Sequence, residues 1–180
     1  MSDPILVVPY DPQWQEEFLQ IGTRIREALD TIAVRIDHIG STSIAGLAAK
    51  PIVDIQISVR SLEPMVYQPL LENVGYYYRA DNPDLTKRYF REGKGRKRTH
   101  IHVREAGSWS EQFALLFRDY LRQHPEDSRE YAKVKYELME RFGDQRHRYV
   151  EEKGPVIWKI MTKASSWSQE AGWRPGEPDI

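Results

Sequence analysis

The 180-residue sequence contains no cysteine, which excludes disulfides, thiolate metal sites and a cysteine nucleophile together. No apolar run approaches the roughly 18 residues that a membrane-spanning helix needs, and no basic-apolar leader opens the chain at Met1, so neither a membrane span nor a signal peptide is predicted. A soluble, cytoplasmic protein is the expectation. Internal repeats and low-complexity segments are missing. So is a nucleophile elbow, which removes a Ser-His-Asp hydrolase. Net charge is scarce too, since 26 Lys and Arg face 27 Asp and Glu. The near-neutral total hides a basic segment: Lys87, Arg88, Arg91, Lys94, Arg96, Lys97, Arg98 and Arg104 have only Glu92 and Glu105 as nearby acids. Such a segment either attracts phosphate or nucleic acid or is a solvated hairpin that protects a sheet edge.

What is present is ordinary globular composition, 40% hydrophobic and 29% charged, in a chain long enough to bury an apolar interior. The organising stretch is Asp37 to Val59. Val34 to Ile39 reads as a strand, and Gly40-Ser41-Thr42-Ser43 as a turn with three hydroxyls leading into a short helical piece, where backbone N–H groups can converge on an anion. After Pro51, period two places Val53, Ile55, Ile57 and Val59 on one face and Asp54, Gln56 and Ser58 on the other. One face is for the core and the other for chemistry.

Elsewhere, Ile5 to Val8 reads as a strand or extended arm. Asp11 and Pro12 start an amphipathic helix over residues 12–30 with Trp14, Phe18, Ile21, Ile25 and Leu29 as its stripe. Leu62 to Asn73 can be helical within the limits set by Pro64 and Pro69. Tyr76–Tyr78, Lys87–Arg91 and Arg98–Arg104 form a meander, and in the last strand His100 and His102 project from one face. From Ser108 the period is helical: Phe113, Leu116, Phe117, Tyr120 and Leu121, then Tyr131, Val134, Leu138 and Phe142, then a run opened by Gly154-Pro155 with Ile157, Ile160, Met161 and Ala164 inward. Residues after Ser166 have no periodicity and read as a loosely held tail, with docking of Trp167 and Trp173 left open. The expected architecture is α+β: a core of mixed sheet and helices over 1–107, a helical C-terminal subdomain over 108–165 packed on it, and a tail over 166–180.

Asp54, on a strand in an apolar run, needs a partner, water or a metal ion. Candidates are Lys50, His38 and the His100/His102 pair. A carboxylate with imidazoles suits zinc or manganese better than an all-oxygen magnesium site; a salt-bridged structural cluster and catalysis without metal are the alternatives. Ser41, Thr42 and Ser43 are phosphate-binding hydroxyls or local turn caps, and Lys50 is a phosphate contact or a structural partner of Asp54. Lys153, Arg118 and Arg122 lie on helices that either close over the cleft or present solvated faces.

The stretch DHIGSTSIAGLAAKPIVDIQISV, with HIHV at His100 to Val103, FRDYLRQHP at Phe117 to Pro125 and YAKVKYEL at Tyr131 to Leu138, resembles the GrpB family over nearly the whole chain. That family resembles the nucleotidyltransferase fold of DNA polymerase beta and the aminoglycoside nucleotidyltransferases. The resemblance implies a mixed sheet with a Gly-Ser turn, here Gly40-Ser41, and two carboxylates at alternate strand positions that hold divalent metal on a triphosphate. Asp54 matches the first; Gln56 stands where the second belongs, and a neutral amide is a poorer ligand for a hard cation. His100 and His102 stand where the resemblance places the strand of a third carboxylate. The resemblance also implies a nucleotidyltransferase-like activity: a nucleotide on Gly40, Ser41, Thr42, Ser43 and Lys50, and a divalent cation (magnesium, manganese or zinc) on Asp54, His100 and His102. Asp54 is the catalytic carboxylate of this scheme, and His38, Gln56, Arg118 and Lys153 are accessory. Two other readings are an inactive accessory domain, since related chains fuse a GrpB-like domain to dephospho-coenzyme A kinase, and RNA binding by the basic hairpin.

Overall fold

Strand alternation between Val53 and Val59 sets which way the sheet faces. In the computed structural model, which describes residues 4–180, Val53, Ile55, Ile57 and Val59 are buried in the main core with Trp14, Phe18, Ile25, Leu29 and Phe90. The first three residues, and with them the expected absence of a leader at Met1, lie outside the described residues. Five strands form one sheet: β1 (Arg35–Ile39), β2 (Val53–Val59), β3 (Tyr76–Tyr78), β4 (Lys87–Glu92) and β5 (Thr99–Glu105), in the order β1-β2-β5-β4-β3. β2 and β5 are parallel and the other pairs antiparallel, so the sheet is mixed, as expected.

Helix α1 (Gln13–Leu29) covers the core face with the stripe read from sequence, while Asp11 Oδ1 accepts from Gln13 N at 2.9 Å at its start. Each large apolar side chain so buried contributes about 1.5–3 kcal/mol. Helix α2 (Gln68–Asn73) is shorter than the sequence allowed. Ile5 to Val8 forms no strand: Val8 makes one isolated bridge to Ala49, and Ile5 N donates to Gly143 O.

Of three further helices, α3 (Trp109–Gln123), α4 (Pro125–Phe142) and α5 (Arg146–Ala171), α3 packs on the other side of the sheet at β1 and β5, and α4 and α5 pack on α3, on each other and on residues 44–48 before β2. Two expectations are corrected here. Gly154-Pro155 does not open the last helix; Pro155 lies inside α5. It removes one backbone donor, but buried Tyr149 anchors the preceding turns against Leu138 and Phe142, so the helix continues through it. Nor is the tail loose. The helix runs to Ala171, Trp167 packs on Tyr120 and His124, and Trp173 Nε1 donates to Asp119 Oδ2 at 3.1 Å. Asp179 Oδ2 then accepts from His38 N at 2.8 Å, and Ile180 N donates to Ile36 O at 3.2 Å. Among the described residues no helix is long and apolar enough to cross a membrane.

Candidate metal and anion site

The parallel register of β2 and β5 sets Asp54 beside His100 and Gln56 beside His102. Asp54 Oδ1 lies 3.2 Å from His100 Nδ1 and 3.1 Å from His102 Nε2. Burial alone would raise the Asp54 carboxyl, but the hydrogen bonds from His100 and His102 outweigh it and hold the group well below the usual carboxylate range. The ionised carboxylate accepts, so the ring nitrogens facing it carry the protons. Burial lowers the His102 imidazole to about 4 against the pull of Asp54, which leaves it neutral at pH 7. One ligand atom from each of Asp54, His100 and His102 lies within 4.8 Å of the others. A carboxylate with imidazole nitrogens, once these give up the protons they point at Asp54, fits zinc, manganese or iron better than magnesium.

The turn before β2 is shaped to meet this carboxylate. Gly40 has φ 71°, and a Cβ there would sit 2.8 Å from Asp54 Oδ2, so only glycine allows both the backbone conformation and the close approach.

Beside the triad lies a cavity of about 220 Å³ lined by Ser41, Thr42 and Asp54 together with four cations, Lys50, Lys135, Arg146 and Lys153. Lys135 Nζ donates to Ala48 O and, at 3.1 Å, to Ser41 Oγ. The Lys50 ammonium is 4.3 Å from the Tyr149 ring centroid and that of Lys153 is 5.6 Å away. Among the described residues none of the four forms an ion pair with a carboxylate. Burial and the neighbouring charges of Lys153 and Arg146 lower Lys50 to about 8, and burial with Lys153 lowers Lys135 to about 7. Cations crowded this way favour an anion between them.

That crowding has a pH signature. Unfolded, Lys135 titrates near 10.5 and folded near 7, so between these values the unfolded chain holds more protons and stability rises with pH. Lys50 acts in the same direction. Urea unfolding is expected to give a gain on the order of 2 kcal/mol from pH 7 to pH 9 at about 1.4 kcal/mol per unit, and Lys135→Met should remove most of it. An unchanged gain in the variant would assign the effect elsewhere.

The remaining candidates divide. Ser41, Thr42, Lys50 and Lys153 line this cavity with Asp54. Ser43 does not: its hydroxyl donates to Gly40 O at 2.6 Å, the local cap that was the alternative reading. His38 does not reach Asp54 either; its Nε2 pairs with Thr42 Oγ1 at 2.9 Å, its ring stacks on Phe18, and burial lowers it to about 3. Gln56 is fully buried, with Oε1 accepting from Arg104 Nη1 at 2.5 Å and Nε2 donating to Glu111 O at 3.4 Å. Arg118 is buried in a structural role, donating to His38 O and Asp179 Oδ2 at 3.1 and 3.0 Å. Arg122 donates through Nε and Nη2 to Ser43 O at 3.0 and 2.9 Å, which ties α3 to the turn.

Sequence reasoning missed Lys135, Arg146 and Tyr149. For Lys135 a signal existed: it falls on the stripe of Tyr131, Leu138 and Phe142, and is buried where Val134 was expected and is only half-buried. A lysine in an apolar stripe is an anomaly that burial must explain.

A profile of the family described as GrpB protein matches residues 4–163. The chain belongs to the GrpB family. Among its GrpB relatives, a UPF0157 protein of Pseudomonas aeruginosa is 38% identical over 172 residues, covering 91% of this chain and 69% of the relative. A dephospho-CoA kinase of Mycobacterium bovis is 33% identical and matches 96% of this chain with 49% of its own length, so the chain spans about half of that enzyme. The GrpB crystal structure from Enterococcus faecalis superposes with a TM-score of 0.81 at 31% identity, over 90% of this chain and 99% of that one. A cytoplasmic RNA terminal U-transferase reaches 0.51 at 10% identity, over 78% of this chain and 42% of that one. The GrpB fold is thus nucleotidyltransferase-like, and that distant likeness extends to fold alone.

Proposed function

We propose that this protein binds a nucleoside triphosphate and a divalent transition cation and transfers a nucleotidyl group to a hydroxyl-bearing acceptor. The observation that carries this reading is the juxtaposition of the Asp54–His100–His102 triad with four cations that have no ion-paired carboxylate among the described residues. Ser41, Lys50, Lys135, Arg146 and Lys153 would hold the triphosphate. Asp54, His100 and His102 would hold the cation, whose chemistry is charge neutralisation and alignment at the phosphate. In the transfer, the acceptor oxygen bonds to the alpha phosphorus, the bond to pyrophosphate breaks with its electron pair leaving on pyrophosphate, and the hydroxyl proton passes to water. The lysine cluster stabilises the leaving charge where water is partly excluded.

A second reading, an inactive nucleotide-binding accessory, draws on one specific feature. Gln56 stands where the fold's second carboxylate belongs, and its amide is occupied by Arg104 and Glu111. Fusion to a kinase in the mycobacterial relatives fits such a role by analogy. A thermal-shift panel of ATP, GTP, CTP and UTP, each with magnesium, manganese or zinc, followed by release of labelled pyrophosphate, decides between the two. The expected result is stabilisation that needs both nucleotide and a transition cation, with pyrophosphate released when an acceptor is supplied. Stabilisation without turnover over a broad acceptor set favours the accessory, and no response to any nucleotide overturns both.

A further inference from the structure

The register places a grid of side chains on the sheet face opposite the main core. Across β2, β5, β4 and β3 one row runs Asp54, His100, Arg91, Tyr77; the next runs Gln56, His102, Tyr89; the third runs Ser58, Arg104, Lys87. Helix α3 covers the β1 and β2 end, where Glu111 accepts from Ser58 Oγ and Arg118 reaches His38 O. The β4 and β5 end keeps partial exposure, and Tyr77 at its rim is 52% exposed.

Two guanidiniums on this end are incompletely paired. Arg104 Nη1 donates to the neutral amide of Gln56, while its Nε is shut off from solvent without a hydrogen-bond partner among the described residues. Arg91 Nη2 pairs with Glu92 at 2.8 Å, and its Nε is equally unpartnered. Between them stands Tyr89, with its ring 5.5 Å from that of His100 and 5.4 Å from that of His102. The Lys87 ammonium lies 5.3 Å from the Tyr89 centroid and 3.7 Å from Asp84, a carboxylate already engaged by Thr86 N and Oγ1. The guanidinium fork of an arginine takes phosphate oxygens in pairs, and a buried donor left unpaired is costly enough to expect a partner.

We infer that this half-open sheet face is the acceptor subsite of the site proposed above, and that it takes an acceptor bearing both a phosphate and a planar ring, the phosphate on Arg104 and Lys87 and the ring over Tyr89. It rests on the transferase reading only for the word acceptor, since the binding itself can be measured alone. A nucleoside monophosphate and the end of an oligonucleotide share this chemistry.

The test is an NMR titration of the full chain with excess inorganic tripolyphosphate present to fill the lysine-lined cavity, using AMP and a five-nucleotide oligoadenylate as separate probes. Arginine Nε–Hε signals are the readout. Arg104 and Arg91 Nε–Hε resonances and Tyr89 are expected to shift with both probes. Arg104→Gln should raise the dissociation constant for AMP at least tenfold, and Arg104→Lys should recover little of it because the fork is lost. Should Arg104→Gln fail to fold, Lys87→Gln and the wild-type shifts carry the same test. Tenfold tighter binding of the oligoadenylate assigns the subsite to nucleic acid, and equal binding to a small nucleotide. Silent Arg104 and Arg91 signals, or AMP affinity unchanged in Arg104→Gln, overturn the inference. AMP binding here by a chain that binds no cation would sink the transferase reading while leaving the subsite standing.

Discussion

Asp54→Asn is expected to abolish the rise in melting temperature that zinc or manganese gives the wild-type protein. The amide oxygen still accepts from the ring N–H groups of His100 and His102, which now face the Asp54 carboxylate at 3.2 and 3.1 Å, so the metal-free variant should fold and melt near the wild type. What disappears is the anionic ligand. At a cation concentration of 100 times the dissociation constant the wild type gains about 2.7 kcal/mol. For a chain of this length that corresponds to roughly 5–11 °C. Calorimetric scans with and without the cation check both parts. A variant that still gains several degrees with zinc would remove Asp54 from the metal set, and one that melts far lower without any cation would make the cluster structural.

Asp37→Ala is expected to cost about as much stability as truncating a large core side chain on the sheet. Asp37 is fully buried and accepts from Arg35 Nε and Nη2 at 2.6 and 2.8 Å, with Arg118 Nη1 at 3.6 Å. Removing it leaves the 13% exposed Arg35 side chain without its carboxylate, while Arg118, 4% exposed, keeps Asp119 and Asp179. Breaking a buried pair from one side costs about 3–5 kcal/mol, which lowers the melting temperature by roughly 6–20 °C. Asp81→Ala is the control: its partner is also an arginine two residues away, but the carboxylate is 72% exposed, and its loss should leave the melting temperature where it is. Equal melting of the two variants would mean that the buried cluster does not tie β1 to α3.

The contrast between these residues bears on what was readable in the sequence. Period two in Val53 to Val59 and in His100 to Val103 was enough to put Asp54, His100 and His102 on one face, because side-chain direction in a strand is local geometry. The Gly-Ser turn was legible for the same reason. The lysine cluster was not, since Lys135, Arg146 and Lys153 come from α4 and α5 and meet Lys50 only once those helices pack on the segment before β2. His38 was misjudged because strand order says where a side chain starts, whereas the neighbouring Thr42 and Phe18 decide what it pairs with. At Gly154-Pro155 and in the tail the local signals point to a helix start and a loose end, and the tertiary anchors Tyr149, Trp173 and Asp179 override them.

The tail has a consequence for how the molecule is made. Arg26 Nη2 donates to Ile180 O at 2.9 Å across 154 positions of sequence, and the outward backbone groups of Ile36 and His38 are met by Ile180 N and Asp179. Contacts this distant along the chain close late. During synthesis the first helix and first strand can assemble as soon as they leave the ribosome, yet their outer flank stays unsealed until residues 179 and 180 emerge. A nascent chain stalled in α5 would therefore hold a finished triad in a sheet whose β1 edge is still open. Resistance to proteolysis should arrive in one late step, once Asp179 and Ile180 have cleared the ribosome.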